Sequence, residues 1–371
     1  MSIRFDKDTR RATNGPMIFF SDPSAEISLG EEIRGAINSR LSFYAYRRPG
    51  DMMISFGSSE SVVEGIGVPG FVVTYFLPEL PYLTIPYKTI NSQPSTHNSQ
   101  LSTLGTQLST HNSTTQAQHT KEVNAIKTAL DEIGYGKVVA ARLIVEDRKI
   151  DPAASFARLC HEYPSAFVFC FSTPQTGCWL GASPELLLES HRGLLSTMSL
   201  AGTMPADSSG QWDFKNIEEQ KMVTDFITEA FRENGLTPST DGVFDKYSGI
   251  VKHLCTIISA TISDDFDENR LNHLLKSLSP TPALCGLPRD LALRLISEYE
   301  YFSRGCYGGF CGPYHSPSDF SFYVNLRSAM VEDVKVSLFT GGGITRLSDP
   351  VVEWNETNLK AQTVARCLVN A

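Results

Sequence analysis

Residues 319–331, DFSFYVNLRSAMV, alternate apolar and polar side chains with a period of two. Phe320, Phe322, Val324 and Leu326 share one face, and Ser321, Tyr323, Asn325 and Arg327 share the other. One buried face and one polar face is the signature of an antiparallel strand. More strands follow in KVVAARLIV (137–145), in AFVFCFS (166–172) and in the LLLES run after GASPE (181–185). Two helical patterns interrupt them. One covers 120–133. The other covers 217–233, where Met222, Val223, Phe226, Ile227, Ala230 and Phe231 share one side and Asn234–Gly235 ends the run. Strands outnumber helical crossovers, and several are neighbours in sequence. The expected fold class is therefore α+β, with large, mostly antiparallel sheets flanked by helices.

A chain of 371 residues, 41% of them hydrophobic, can bury a large core. The expected organisation is one domain over 1–371, with an N-terminal part (1–90), a polar insert (91–120) and a catalytic part (121–371). The insert is almost wholly Ser, Thr, Gln, Asn and His, contains STHNS twice, and lacks the apolar residues to pack a core. A polar linker fits its histidines better than a metal-binding tract. No run of eighteen apolar residues spans a membrane, and the net charge of −9 argues against a nucleic-acid surface. The eight cysteines show no CxxC spacing and read as reduced core residues. With no apolar secretory segment in MSIRFDKDTRR, a cytoplasmic protein is expected.

The stretch GGGITRLSDPVVEWNETNLK (341–360) carries the densest chemistry. Gly341, Gly342 and Gly343 read as a turn with free backbone amides. Asp349 suits a helix cap and Pro350 the first helical position. Glu353, Glu356 and Lys360 then fall on one helical face. Two carboxylates and an amine beside free amides can hold a metal ion and an anionic substrate, although Glu356–Lys360 also reads as an ordinary surface pair. Glu219 sits on or beside the apolar face of its helix, where a carboxylate must be paired, protonated or metal-bound. Lys137 leads an apolar strand; once buried, such an amine becomes a general base. Glu185 lies in apolar surroundings that suit a general acid. His253 and Tyr307 are possible hydrogen-bond donors. Gly202 and Thr203 can offer an amide and a hydroxyl, or form a plain turn. Arg327, on a polar strand face, suits a carboxylate if that face lines a cleft.

Ten segments in order give the chain a family resemblance: KVVAAR, GASPELL, LAGT, KNIEEQKMV, VKHL, SPTPALCGLPR, CYGGFCG, NLRSA, GGGI and SDPVVEWNETNLK. Together they resemble the chorismate-utilising enzymes, and among these the isochorismate synthases most. The resemblance implies one large domain of two packed antiparallel sheets with helices outside. It implies Mg²⁺ as cofactor, with Glu219 and Glu356 as direct ligands and Glu353 acting through water. It implies that Arg327, Lys360 and the amides of Gly341–Gly343 hold the carboxylates of chorismate, with Gly202, Thr203, His253 and Tyr307 completing the pocket. GGGI stands where GAGI is commoner, and the insert is foreign to the pattern.

The implied reaction adds water at C2 of chorismate and expels the C4 hydroxyl. Lys137 is the implied base for water and Glu185 the implied acid for the leaving group. Relatives that make anthranilate (component I of anthranilate synthase) lack the lysine at position 137. Those that make aminodeoxychorismate carry a lysine where Ala201 stands. Salicylate synthases share nearly all the catalytic residues and remain the main alternative, ahead of a non-catalytic chorismate-binding relative. The resemblance further implies a monomer acting on a small molecule in menaquinone or siderophore biosynthesis.

Overall fold

The computed structural model describes residues 17–19, 23–87, 112–248 and 251–371. Its frame is two antiparallel sheets packed face to face. The first has nine strands. In spatial order they are Met17–Phe19 (β1), Met53–Ser59 (β3), Ser42–Arg47 (β2), Phe167–Thr173 (β8), Gly177–Ser183 (β9), Ser328–Val331 (β18), Val336–Ile344 (β19), Lys137–Glu146 (β7) and Gly286–Leu287 (β15). The second runs Ser239–Thr240 (β12), Val251–Thr261 (β14), Leu194–Pro205 (β11), Leu186–His191 (β10), Asp319–Val324 (β17), Phe310–Ser316 (β16), Gly70–Val73 (β5), Leu83–Pro86 (β6) and Val63–Glu64 (β4), with Phe244–Ser248 (β13) also paired to β14. Strands from before residue 90 thus belong to both sheets.

Between the sheets lies an aromatic core. Phe71, Phe167, Phe169, Phe171, Trp179, Phe310, Phe320 and Phe322 are all within 1% of full burial. Such rings bury the most apolar area per side chain and interlock at tilted or stacked angles, as Phe167 and Tyr323 do at 4.1 Å between centroids. The outer face of the first sheet is covered by Pro23–Asn38 (α1) and Pro152–Glu162 (α3). Gln116–Ile133 (α2) and Arg289–Tyr299 (α6) cover the same outer face farther along, at β7 around Val138 and Ala140. Phe214–Glu233 (α4), Glu268–Leu278 (α5) and Pro350–Ala365 (α7) complete the helices.

Three expectations need correction. Residues 319–331 form two strands, β17 in the second sheet and β18 in the first. The alternation is unbroken, but Asn325–Arg327 turn between them, with Arg327 at φ 50°. The polar insert ends earlier than its composition implies. Thr115 caps α2 and forms a capping box with Gln118, while the Thr114 N–H donates to Leu143 O at 2.8 Å. His119 is wholly buried and packs 5.6 Å from Trp354, so it belongs to the core; His97 and His111 lie outside the described residues. Gly341, Gly342 and Gly343 are not a turn. They pair with Ala141, Ala140 and Val139 as part of β19.

Candidate active site

The two sheets part at one end around a pocket of about 370 Å³. Two chain crossovers bring functional residues there. Between β9 and β10 the chain passes from the first sheet to the second through Pro184 and Glu185. Between β17 and β18 it returns through Leu326 and Arg327. The crossovers are tied together: Val324 N–H donates to Glu185 O at 3.0 Å and Ala182 N–H donates to Arg327 O at 3.1 Å. Glu185 and Arg327 therefore reach one pocket although 142 positions separate them in the chain.

Lys137, Glu185, Gly202, Glu219, His253, Tyr307, Arg327, Gly341, Gly343, Glu353, Glu356 and Lys360 all line this pocket. Thr203 lies in β11, and its side chain is outside the described residues. Gly342 is the exception. Its neighbours on β7 explain why. Val139 N–H donates to Cys285 O and Ala141 N–H to Glu300 Oε1, so both turn their polar groups away from β19. Antiparallel pairs alternate, so Gly341 and Gly343 turn their amides away from β7 while Gly342 spends its own in the ladder. The expected three-amide cradle thus reduces to two amides, with Gly341 O already accepting from Lys360 Nζ at 3.1 Å.

Each glycine also clears space for one neighbour. A Cβ on Gly341 would lie 3.2 Å from Tyr307 Oη, one on Gly342 3.1 Å from Glu353 Oε2, and one on Gly343 2.4 Å from Lys137 Cε. Gly202, at φ 71°, sits in a β-bulge of β11 and not in a plain turn. Its carbonyl accepts from His253 Nδ1 at 2.7 Å. A carbonyl only accepts, so Nδ1 carries the ring proton, and burial lowers the imidazole to about 4. His253 is thus a neutral group.

Glu185 is 8% exposed. Burial raises its carboxyl to about 7, against the opposing pull of Lys137, a hydrogen bond from Thr281 and the charge of Arg327. Lys137 Nζ donates to Glu219 Oε1 at 2.5 Å, and Lys360 Nζ lies 2.7 Å from Glu356 Oε1. Among the described residues no three His, Cys, Asp or Glu side chains are gathered as a metal shell. Glu219, Glu353 and Glu356 nevertheless all line this pocket, and carboxylate oxygens are the kind of donor Mg²⁺ takes. Two of the three are neutralised by lysines in this arrangement.

Two polar lining residues, Asp213 and Asn216, were not among the expected site residues. Asp213 caps α4, accepting from Asn216 N–H at 2.8 Å and from Asn216 Nδ2 at 2.7 Å. That bond holds Asn216 against Gly202, where a Cβ would come within 2.9 Å of Asn216 Oδ1. An Asp three residues ahead of an Asn at a helix start was the available signal.

Isochorismate synthase 2 of Arabidopsis thaliana is 32% identical over 261 residues, covering 66% of this chain and 46% of that protein. Isochorismate synthase MenF of Escherichia coli K12 is 33% identical over 274 residues, covering 68% of this chain and 62% of that protein. The chain therefore spans less than two thirds of the length of either relative. The solved structure of MenF, the menaquinone-specific isochorismate synthase of E. coli, superposes with a TM-score of 0.73 at 22% identity over 88% of this chain and 89% of the other. No helix among the described residues is long and apolar enough to cross a membrane. The profile of the chorismate binding enzymes matches residues 84–369, and the chain belongs to that family.

Proposed function

We propose that the protein is a Mg²⁺-dependent isochorismate synthase, which adds water at C2 of chorismate and releases the C4 hydroxyl. The observation that carries this reading is that Glu185 and Lys137 line one pocket: a buried carboxyl raised to about 7 and an amine within its electrostatic reach. Hydroxide leaves poorly, so the C4 oxygen needs a proton, and a neutral Glu185 supplies it. Water is a weak nucleophile, so it needs a base, and Lys137 takes its proton. An ion-paired ammonium has no lone pair, so Lys137 must leave Glu219 and shed its proton first. Each proton transfer typically contributes ~10²–10⁴-fold.

Arg327 and Lys360 supply positive charge for the substrate carboxylates, and the amides of Gly341 and Gly343 are available as donors. His253, neutral with its proton on Nδ1, turns Nε2 toward acceptor duty and adds no charge of its own. Glu219, Glu353 and Glu356 would hold Mg²⁺. Bound there, the ion would supply positive charge against the ring carboxylate of chorismate and orient it. Ala201 lines the pocket without an amine, which supports water as the nucleophile. The eight unpaired cysteines support work in a reducing compartment.

Incubation with chorismate and Mg²⁺, without ammonia, followed by NMR of the products, tests this reading. An equilibrium mixture of chorismate and isochorismate is expected. Salicylate with pyruvate would make the protein a salicylate synthase, and unchanged chorismate would remove the proposal.

A further inference from the structure

Strand β7 carries Lys137, and its outer edge is covered in two separate places: by β15 at its start and by Ser113–Thr114 at Leu143 and Val145. β15 pairs with Lys137 and Val138, and Cys285 O takes the Val139 N–H. Between these two places the Val139 carbonyl and the Ala141 amide face away from β19 with no strand beside them among the described residues. A buried backbone group left without a partner is costly. Two side chains take the place of the missing strand. Ala141 N–H donates to Glu300 Oε1 at 3.0 Å, and Arg304 Nη2 donates to Val139 O at 2.8 Å.

Glu300 and Arg304 are themselves an ion pair whose side chains are each 2% exposed. Arg304 Nε donates to Glu300 Oε2 at 2.8 Å, and Nη2 also donates to Glu300 Oε1. The guanidinium reaches further. Nη1 donates to Leu284 O at 2.5 Å, and the plane lies 4.3 Å over the ring of Phe76. The Arg304 carbonyl accepts from Tyr307 N–H at 2.9 Å. One arginine thus joins β7, the Ala283–Leu284 segment and Tyr307, three separate walls of the pocket. Glu122 lies alongside, buried, and burial together with Glu300 pushes its carboxyl well above the ordinary range. A neutral Glu122 does not compete for Arg304.

We infer that Glu300 and Arg304 are positioning residues of the active site: together they act as a surrogate strand that sets Lys137 and Tyr307 relative to one another. A buried ion pair contributes little net stability once desolvation is counted, whereas its directional bonds to three backbone segments fix geometry. The inference rests on the proposed reading of Lys137 as the base.

Glu300→Gln and Arg304→Lys are compared with Arg47→Gln. Arg47 is a matched control, an equally buried arginine that donates to the carbonyls of Cys160 and Tyr163 away from the pocket. With chorismate and Mg²⁺, the two site variants are expected to lose about tenfold or more in kcat, with KM within about twofold. Arg47→Gln is expected to lower thermal stability and leave kcat unchanged. In a Lys137→Gln background, Glu300→Gln is expected to cost little more, because both act through one group. Unchanged kcat in both site variants, or equal losses in Arg47→Gln, overturns the inference. Native hydrogen exchange on the unaltered protein needs neither turnover nor a variant. The Ala141 amide is expected to be protected like the paired amides of β7, and exchange at the rate of an exposed edge overturns the surrogate-strand role. Absence of turnover in the unaltered protein would strike the functional reading alone.

Discussion

Lys137 Nζ lies 2.5 Å from Glu219 Oε1, so the candidate base is held by a candidate metal ligand. An ion-paired ammonium has no lone pair, so Lys137 cannot take a proton in this arrangement. On the proposed reading, a cation bound at Glu219 would replace the ammonium and release Lys137 as the pocket loads. Glu219→Gln is expected to abolish Mg²⁺-dependent turnover while leaving the fold intact. Calorimetric titration with Mg²⁺ checks the metal side, and a Glu219→Gln protein that binds Mg²⁺ as the parent does would remove Glu219 from the donor set.

Lys137→Gln and Glu185→Gln are each expected to lower kcat by ~10²–10⁴-fold. The pH profile separates them. Glu185 must be protonated to act as an acid, and its carboxyl is raised to about 7. Turnover limited by Glu185 should therefore fall about tenfold per unit as pH rises above 7. A profile flat through pH 8 in the parent protein would contradict its role as the acid.

The three glycines of β19 predict distinct failures. Gly343→Ala drives a methyl to 2.4 Å from Lys137 Cε, so kcat should drop while Mg²⁺ affinity is kept. Gly342→Ala presses on Glu353 Oε2 at 3.1 Å, so Mg²⁺ affinity should weaken first. Steady-state kinetics across a Mg²⁺ series distinguishes the two; identical responses would refute the division.

Acid stability should report His119. Burial holds its imidazole at about 4, below the ordinary 6.5. The unfolded chain takes up a proton below pH 6.5 that the folded chain refuses, so stability falls as pH drops from 6.5 toward 4. The full effect is on the order of 3 kcal/mol. His253 is lowered to the same extent and adds to it. Glu185, raised to about 7, acts in the opposite direction, so the readout is the difference between parent and variant: His119→Leu should remove about one proton of uptake from the pH slope in denaturant unfolding across that window.

The sequence by itself determined the α+β class, the main strands and helices, and many of the residues that line the pocket. Period-two alternation in 319–331 and the helical spacing of Glu353, Glu356 and Lys360 are local properties, so they can be read without a fold. Even the Asp349 cap with Pro350 at the helix start is a local signal, and α7 begins there. Only the tertiary structure decided which sheet each half of 319–331 joins, because that choice depends on partners far away in the chain. It also decided that Gly342 spends its amide in the ladder, that Lys137 and Lys360 sit on carboxylates, and that Glu185 is buried enough to hold a proton near neutrality. Charge pairing and desolvation arise between residues brought together by folding, and no window of sequence contains them.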